Sequence, residues 1–220
     1  VAEINEANPD HQINFIVEDE KGEKDEAINA MNKLVHQDNA LAIQGPMLTG
    51  TMLSAGPVAQ EAGIVSLGTS TTGEGITDIG DYIFRNAVPE STAVAEAVRQ
   101  AQAELGFETA AIFYSQNNDQ MVSVNNTLTD VFEEVGVEVI STETFSDGDT
   151  DFSAQLTNIQ AANPDVIAVA SLLQEGAVIM TAARNMGLEQ PVIGSNGFNS
   201  PAFITQAEEA ADGAIVGTPW

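Results

Sequence analysis

Residues 41–50 have the sequence LAIQGPMLTG, in which a short apolar run is followed by Gly45-Pro46 and then by Thr49-Gly50. This order predicts a buried strand, a turn and the start of a helix. The same alternation predicts strands at residues 13–17, 41–43, 64–67, 109–114, 137–142, 166–170, 191–193 and 213–216. It predicts helices at residues 24–36, 52–62, 92–105, 122–135, 152–161 and 175–186. Apolar strands alternating with helices indicate an α/β protein with doubly wound parallel sheets.

The alternation restarts after residues 82–89, which predicts two lobes joined by a hinge. We expect an N-terminal lobe at residues 1–88, a C-terminal lobe at 89–216, and the start of a return crossing at 217–220. Residues 1–8 resemble the tail of a helix whose preceding strand is missing, so we expect the sequence to be truncated at both ends. Ser91 and Asp151 are predicted to cap the helices that follow them.

The charge of the chain limits its partners. The 220 residues include 6 Lys plus Arg and 33 Asp plus Glu, a formal net charge of −27, while 43% of residues are hydrophobic. That hydrophobic share is typical of a globular protein, so the acidity belongs to the surface. Nucleic acid is excluded as a partner because phosphate binding needs Lys and Arg. We expect a salt-adapted source and a stability that falls with ionic strength; an ordinary acidic bacterial protein is the alternative.

The residues that would carry catalysis or bind a metal are scarce. The chain has no cysteine, and His11 and His36 have no acidic partner at metal-ligand spacing. Residues 147–151, DGDTD, lack the glycine position and the glutamate of a calcium loop. Dinucleotide, phosphate-loop and nucleophile-elbow motifs do not occur. We therefore expect a protein that is not an enzyme and uses no cofactor.

Two polar loops follow predicted strands. Residues 44–50 offer the Thr49 hydroxyl and the Gly50 N–H, and residues 66–73 (SLGTSTTG) offer hydroxyls and bare N–H groups without charge. The carboxyl ends of parallel strands are where open α/β sheets bind ligands, so both loops are candidate sites for a small polar ligand. A plain strand-to-helix turn and a flexible surface loop are the alternatives.

An ordered series of motifs resembles a known family. The series is Glu18-Asp-Glu-Lys-Gly22, Gly45-Pro46 with Thr49-Gly50, Gly56-Pro-Val-Ala-Gln-Glu-Ala-Gly63, Phe84-Arg85, Asn163-Pro-Asp165, Ala182-Ala-Arg-Asn-Met-Gly-Leu188 and Ile193-Gly-Ser-Asn-Gly-Phe198. It resembles the type I periplasmic-binding-protein fold, in the leucine/isoleucine/valine-binding branch of solute receptors for ABC transporters. The resemblance runs along essentially the whole chain.

The resemblance implies a clamp that holds a small solute in the cleft between two lobes and closes by hinge bending. It implies that Thr49, Thr69 and Ser70 hold the solute's carboxylate and amino group, and that Met47 and Leu48 form an apolar wall. It also implies a membrane permease as partner and a periplasmic or extracellular location, with a signal segment or lipid anchor outside this sequence.

The sequence departs from the family where such receptors bind an ammonium group. The second-lobe motif is Gly194-Ser-Asn-Gly197, so Asn196 stands where family members usually have Asp or Glu, and an amide cannot form an ion pair. Leu172 or Leu173 replaces an aromatic residue, and the usual Tyr-Gly is replaced near Asp119. These departures favour a carboxylate without an ammonium group, an amide, or an amino acid held by Asp119 or Glu175.

Three other classes of protein share the predicted fold. A sensor domain of a regulator or histidine kinase is the main alternative. An enzyme on a doubly wound sheet would need a nucleophile or base, and none is visible. A DNA-binding repressor core conflicts with the charge of −27.

Overall fold

Two parallel sheets form the framework of the protein in a computed structural model that describes residues 1–218. The first sheet has the order β1-β2-β3, with β1 at Ala42–Gln44, β2 at Val65–Gly68 and β3 at Ile83–Arg85. The second sheet has the order β5-β4-β6-β7-β8, with β4 at Thr109–Ser115, β5 at Glu138–Phe145, β6 at Val166–Ala170, β7 at Val192–Gly194 and β8 at Ala214–Val216. Every strand pair is parallel, which confirms the predicted α/β class.

Within residues 1–218, eight α-helices connect and cover these strands. They are α1 at Ala2–Ala7, α2 at Lys24–His36, α3 at Thr49–Ala62, α4 at Glu90–Leu105, α5 at Asp119–Glu134, α6 at Ser153–Ala162, α7 at Leu173–Asn185 and α8 at Pro201–Ala207. Short 3-10 helices lie at Thr77–Ile79, Asn196–Phe198 and Glu208–Ala211. We call the first sheet with α1–α3 the first lobe, and the second sheet with α4–α8 the second lobe. The division of the chain between residues 88 and 89 stays a prediction.

Each lobe has its own apolar core. In the first lobe, Ala27, Met31 and Val35 recur at every fourth position of α2, so they share the face that packs on the sheet. In the second lobe, separate buried clusters cover the two faces of the sheet. Phe113 packs edge-on against Phe145, with ring centroids 5.1 Å apart. Each sheet is therefore fixed by apolar packing within its own lobe.

Four helices begin two or three residues earlier than predicted, because their first residues precede the apolar pattern on which each prediction rests. These helices are α3, α4, α5 and α7. The prediction that Ser91 caps α4 is wrong, since Pro89 occupies the cap position and Ser91 lies inside the helix. Asp151 does accept hydrogen bonds from the Ser153 N–H and hydroxyl, at 3.0 and 2.6 Å, although the cap position itself is Phe152.

The strand predicted at residues 13–17 is absent. Phe15 and Val17 are 64% and 73% exposed, and no residue of this segment pairs with a sheet. A cavity of about 560 Å³ separates residues 12–18 from β1. A strand needs hydrogen bonds along its edge, and this gap keeps the segment from forming them with β1.

The predicted return crossing at residues 217–220 lies partly outside the described residues, which end at Thr218. Within residues 1–218, no helix is both long enough and apolar enough to span a membrane.

Candidate functional site

A cavity of about 560 Å³ lies between the two lobes, where the carboxyl ends of the strands face each other. From the first lobe it is lined by residues 21–25, which precede and begin α2, and by residues 48–51 at the start of α3. From the second lobe it is lined by residues 117–120 at the start of α5, by Asp147 after β5 and by Leu172 after β6. We call this space the interlobe cavity.

The start of α3 presents neutral donors to the interlobe cavity. Leu48 is the cap residue and makes no side-chain capping bond, so the N–H groups of the first turn have no side-chain partner at the cap. Thr49 is 2% exposed, and its Oγ1 accepts the Gly73 N–H at 3.0 Å. This bond joins the two polar loops of the first lobe. A Cβ at position 73 would overlap the Thr49 side chain, so the close approach requires glycine there.

An ion pair bridges the two lobes at the cavity. Lys24 Nζ of α2 lies 2.6 Å from Asp119 Oδ2 of α5, and the side chains are 54% and 43% exposed. Asn118 caps α5, because its Oδ1 accepts the Gln120 N–H at 3.1 Å, and Asp119 is the first residue of that helix. The pair places one charge of each sign beside the interlobe cavity.

Asp147 is held in place by neighbouring polar side chains. Its Oδ1 accepts the Ser115 hydroxyl at 2.5 Å, and its Oδ2 accepts the Asn118 side-chain N–H at 2.7 Å. The Asp147 N–H donates to Asn117 Oδ1 at 2.8 Å. These bonds connect the loops after β4 and β5 into one polar wall.

A buried carboxylate lies at the junction of the lobes. Glu90, the first residue of α4, is 1% exposed. Its Oε1 accepts the Asn196 N–H at 2.6 Å, and its Oε2 accepts the Thr72 hydroxyl at 3.0 Å. The Gln120 side chain donates to the same Oε2 at 2.5 Å and to Thr72 Oγ1 at 2.9 Å. Glu90 thus connects the first lobe's loop after β2 to two loops of the second lobe.

A serine pair fixes the loops that follow β6 and β7. The Ser195 hydroxyl donates to Ser171 O at 2.7 Å and accepts the Ser171 N–H at 3.2 Å. A Cβ at position 197 would lie 2.7 Å from Ser171 O, so Gly197 allows this approach. Leu172 follows directly and is thereby positioned at the cavity.

The structure brings four of the residues predicted for the site together: Leu48, Thr49, Asp119 and Leu172 all line the interlobe cavity. Met47 and Thr69 line a different cavity, of about 370 Å³, on the first lobe. Ser70 is half-buried in the loop after β2. Asn196 is half-buried, and its backbone N–H is the group bonded to Glu90. Their roles in binding stay predictions.

Sequence reasoning missed Lys24, Gln120 and Asp147 as lining residues. Lys24 carries one of only 6 basic side chains, and this rarity in an acidic chain was a usable signal. Gln120 and Asp147 follow strands, as expected of ligand loops, but most polar residues of such loops do the same. Glu90 gave no signal, because an acid at a helix start is ordinarily solvated.

No group of three or more histidine, aspartate or glutamate side chains is arranged to hold a metal ion in the part of the chain that the structure describes. The chemistry that the cavity offers is polar recognition through N–H groups, hydroxyls and amides, with two lysines and four carboxylates along its wall.

Two parallel-sheet lobes that face each other across a polar cavity define the class of two-lobed binding proteins. The family described as periplasmic binding protein matches residues 1–220, so the chain belongs to that family. The family is a class of extracytoplasmic solute-binding proteins.

Solved structures and a curated relative define the branch of the family. The branched-chain amino acid transporter substrate-binding protein LivJ of Streptococcus pneumoniae, in complex with isoleucine, is 29% identical with a TM-score of 0.90, covering 98% of this chain and 62% of that one. Leucine-binding protein LivK of Thermotoga maritima is 26% identical with a TM-score of 0.89, over the same shares. The Leu/Ile/Val-binding protein BraC3 of Rhizobium johnstonii is 24% identical over 210 residues, covering 90% of this chain and 53% of the relative.

The chain spans about half the length of the curated relatives it matches. These similarities confirm the resemblance to the branched-chain amino acid branch of type I periplasmic binding proteins.

Proposed function

We propose that the protein is the solute-binding receptor of an ABC importer and binds a small, amino-acid-like carboxylate in the interlobe cavity. The observation that carries this proposal is that both lobes contribute residues to the cavity wall, and that these residues lie near the carboxyl ends of the strands. A solute bound there touches both lobes, so it stabilises the closed arrangement. A membrane permease that recognises the closed arrangement would then accept the solute.

The first lobe supplies the groups suited to a carboxylate. The N–H groups at the start of α3 favour an anion, and Lys24, which is paired with Asp119, lines the cavity beside them. Thr49, Thr69 and Ser70 are the hydroxyl residues that we assign to this end of the solute. A carboxylate of a small solute is the ligand group that these donors fit.

Apolar side chains provide the contact for the rest of the solute. Leu48 and Leu172 approach the cavity from opposite lobes, and we assign Met47 to the outer wall. The isoleucine held by LivJ of Streptococcus pneumoniae makes the branched-chain amino acids the first probes. Asn196 is assigned to a polar contact without charge.

A thermal-shift screen of the intact protein in molar KCl tests the proposal. The panel is leucine, isoleucine, valine, polar amino acids, short and aromatic carboxylates, and amides. A solute bound only by the folded protein raises the melting temperature by mass action. Leu48→Asp adds a negative charge at the start of α3 in the cavity wall and should abolish the shift, whereas Leu53→Asp, within α3 but outside the cavity wall, should keep it. A panel without any shift, or equal effects of the two variants, would contradict the proposal.

A further inference from the structure

Glu90 is a buried acid without a cation. Its side chain is 1% exposed, and the ion pairs of residues 1–218 do not include it. Neutral donors surround it instead: one backbone N–H, one hydroxyl and one amide. A buried carboxylate gains most from a partner that carries a full positive charge. A cationic group would therefore be a stronger partner for Glu90 than the neutral donors that surround it.

The Gln120 side chain connects Glu90 to the wall of the interlobe cavity. Gln120 lines the cavity, is 8% exposed, and donates its side-chain N–H groups to Glu90 Oε2 and to Thr72 Oγ1. The Asn196 N–H and the Thr72 hydroxyl are fixed by the loops that carry them, whereas a glutamine side chain can turn about its own bonds. Rotation of Gln120 would free the two acceptors that its side chain occupies, Glu90 Oε2 and Thr72 Oγ1.

A primary ammonium group has three N–H donors and fits the two acceptors that Gln120 Nε2 occupies. Thr49 lies next to this position, since it accepts the N–H of Gly73, the neighbour of Thr72. Acceptors for an ammonium and donors for a carboxylate are thus adjacent along one loop. An α-amino acid carries these two groups on one carbon.

The other acids near the cavity differ from Glu90 in exposure or in partner. Glu23 and Asp25 line the cavity and are exposed to water. Asp119 pairs with Lys24 at 2.6 Å and is exposed to screening by water. Asp147 accepts two side-chain donors. Glu175 accepts the Gly148 N–H at 3.0 Å and does not line the interlobe cavity. Of these acids, Glu90 alone is both buried at the junction of the lobes and bonded by side chains of both.

We propose that Glu90 is the specificity-determining residue of the site: it accepts the ammonium group of the solute after Gln120 turns aside, and so replaces the acid missing at position 196. The inference rests on the proposed function. It predicts that the protein discriminates leucine from 4-methylpentanoate, which has the same carbon skeleton and carboxylate but no ammonium group.

Calorimetric titration of both probes in molar KCl tests this. Wild-type protein should bind leucine at least about tenfold more tightly than 4-methylpentanoate, because the buried charge pair is missing from the second complex. Glu90→Gln should remove this preference by weakening leucine alone. Glu175→Gln is the matched control: it neutralises another buried acid that lies outside the wall of the interlobe cavity, and it should leave the ratio of the two affinities unchanged.

The outcomes separate this inference from the proposed function. Wild-type protein that binds both probes equally, or Glu90→Gln protein that keeps the preference, overturns the role of Glu90 and leaves the proposed function in place. Wild-type protein that binds no member of the solute panel overturns both. Should Glu90→Gln fail to fold, Glu90→Asp withdraws the carboxylate by one methylene and should still weaken leucine selectively; an equal effect on both probes overturns the inference.

Discussion

Two buried serines beside the candidate site are predicted to respond in opposite ways to the same substitution. Ser195 and Ser171 are 1% and 0% exposed and belong to neighbouring loops. The Ser195 hydroxyl makes two hydrogen bonds to the Ser171 backbone, at 2.7 and 3.2 Å. The Ser171 hydroxyl is buried without a hydrogen-bond partner among the described residues. Ser195→Ala and Ser171→Ala therefore remove the same group from similar surroundings, and only the first removes hydrogen bonds.

The magnitude follows from what each substitution leaves behind. Ser195→Ala leaves a buried C=O and a buried N–H without their partner, and each such group costs about 1–3 kcal/mol, so we expect a loss of at least about 2 kcal/mol in the free energy of unfolding. Ser171→Ala removes a hydroxyl that is desolvated without compensation, so we expect a change within about 0.5 kcal/mol or a small gain.

Urea denaturation in molar KCl measures both variants against the wild type. Ser195→Ala should also weaken solute binding, because the serine pair positions Leu172 at the interlobe cavity. Equal losses in the two variants, or a greater loss in Ser171→Ala, would refute the hydrogen-bond assignment on which this reasoning depends.

Two further predictions concern closure of the lobes and acid stability. A Cβ added in Gly50→Ala would lie 2.9 Å from Asp119 Oδ2 and 3.1 Å from Lys24 Cε, so the interlobe ion pair must shift. Because the pair is exposed, its loss should weaken solute affinity by up to about fivefold, as measured by calorimetry. Unchanged affinity would count against the closed arrangement. The backbone N–H of Glu108 is the main donor that lowers the pKa of the Asp165 carboxyl below its ordinary value, so this group stabilises the fold at pH above about 4 and the contribution disappears as the pH falls through the lowered pKa. Asp165→Asn should therefore lower stability at neutral pH and flatten the acid dependence of urea unfolding, and an acid dependence identical to that of the wild type would contradict the assignment.

The strands that consist of a short apolar run were predictable from the sequence. Residues 166–170, VIAVA, are apolar throughout, and all five are buried in the centre of the second sheet. The segment at residues 13–17 has a similar composition and forms no strand, because a strand depends on a partner edge as well as on its own side chains. Strand β3, at Ile83–Arg85, was missed because it lies within residues 82–89, the segment interpreted as the passage between the two lobes.

The position of the candidate site was predictable, and its contacts were not. Thr49 and Leu172 follow strands, and the rule that ligands bind at strand carboxyl ends brings such residues to the cavity. The ion pair of Lys24 with Asp119 joins residues 95 positions apart, and the bond from Asn196 to Glu90 spans 106 positions. Contacts at such separations depend on how the lobes meet, and periodicity along the chain carries no information about that.

The measurement that tests the central claim most directly is a crystal structure of the protein with the solute that gives the largest thermal shift. The account predicts that the solute lies in the interlobe cavity, with its carboxylate at the start of α3 and its apolar part between Leu48 and Leu172. A solute seated in the cavity beside residues 12–18, or one that contacts a single lobe, would contradict the account.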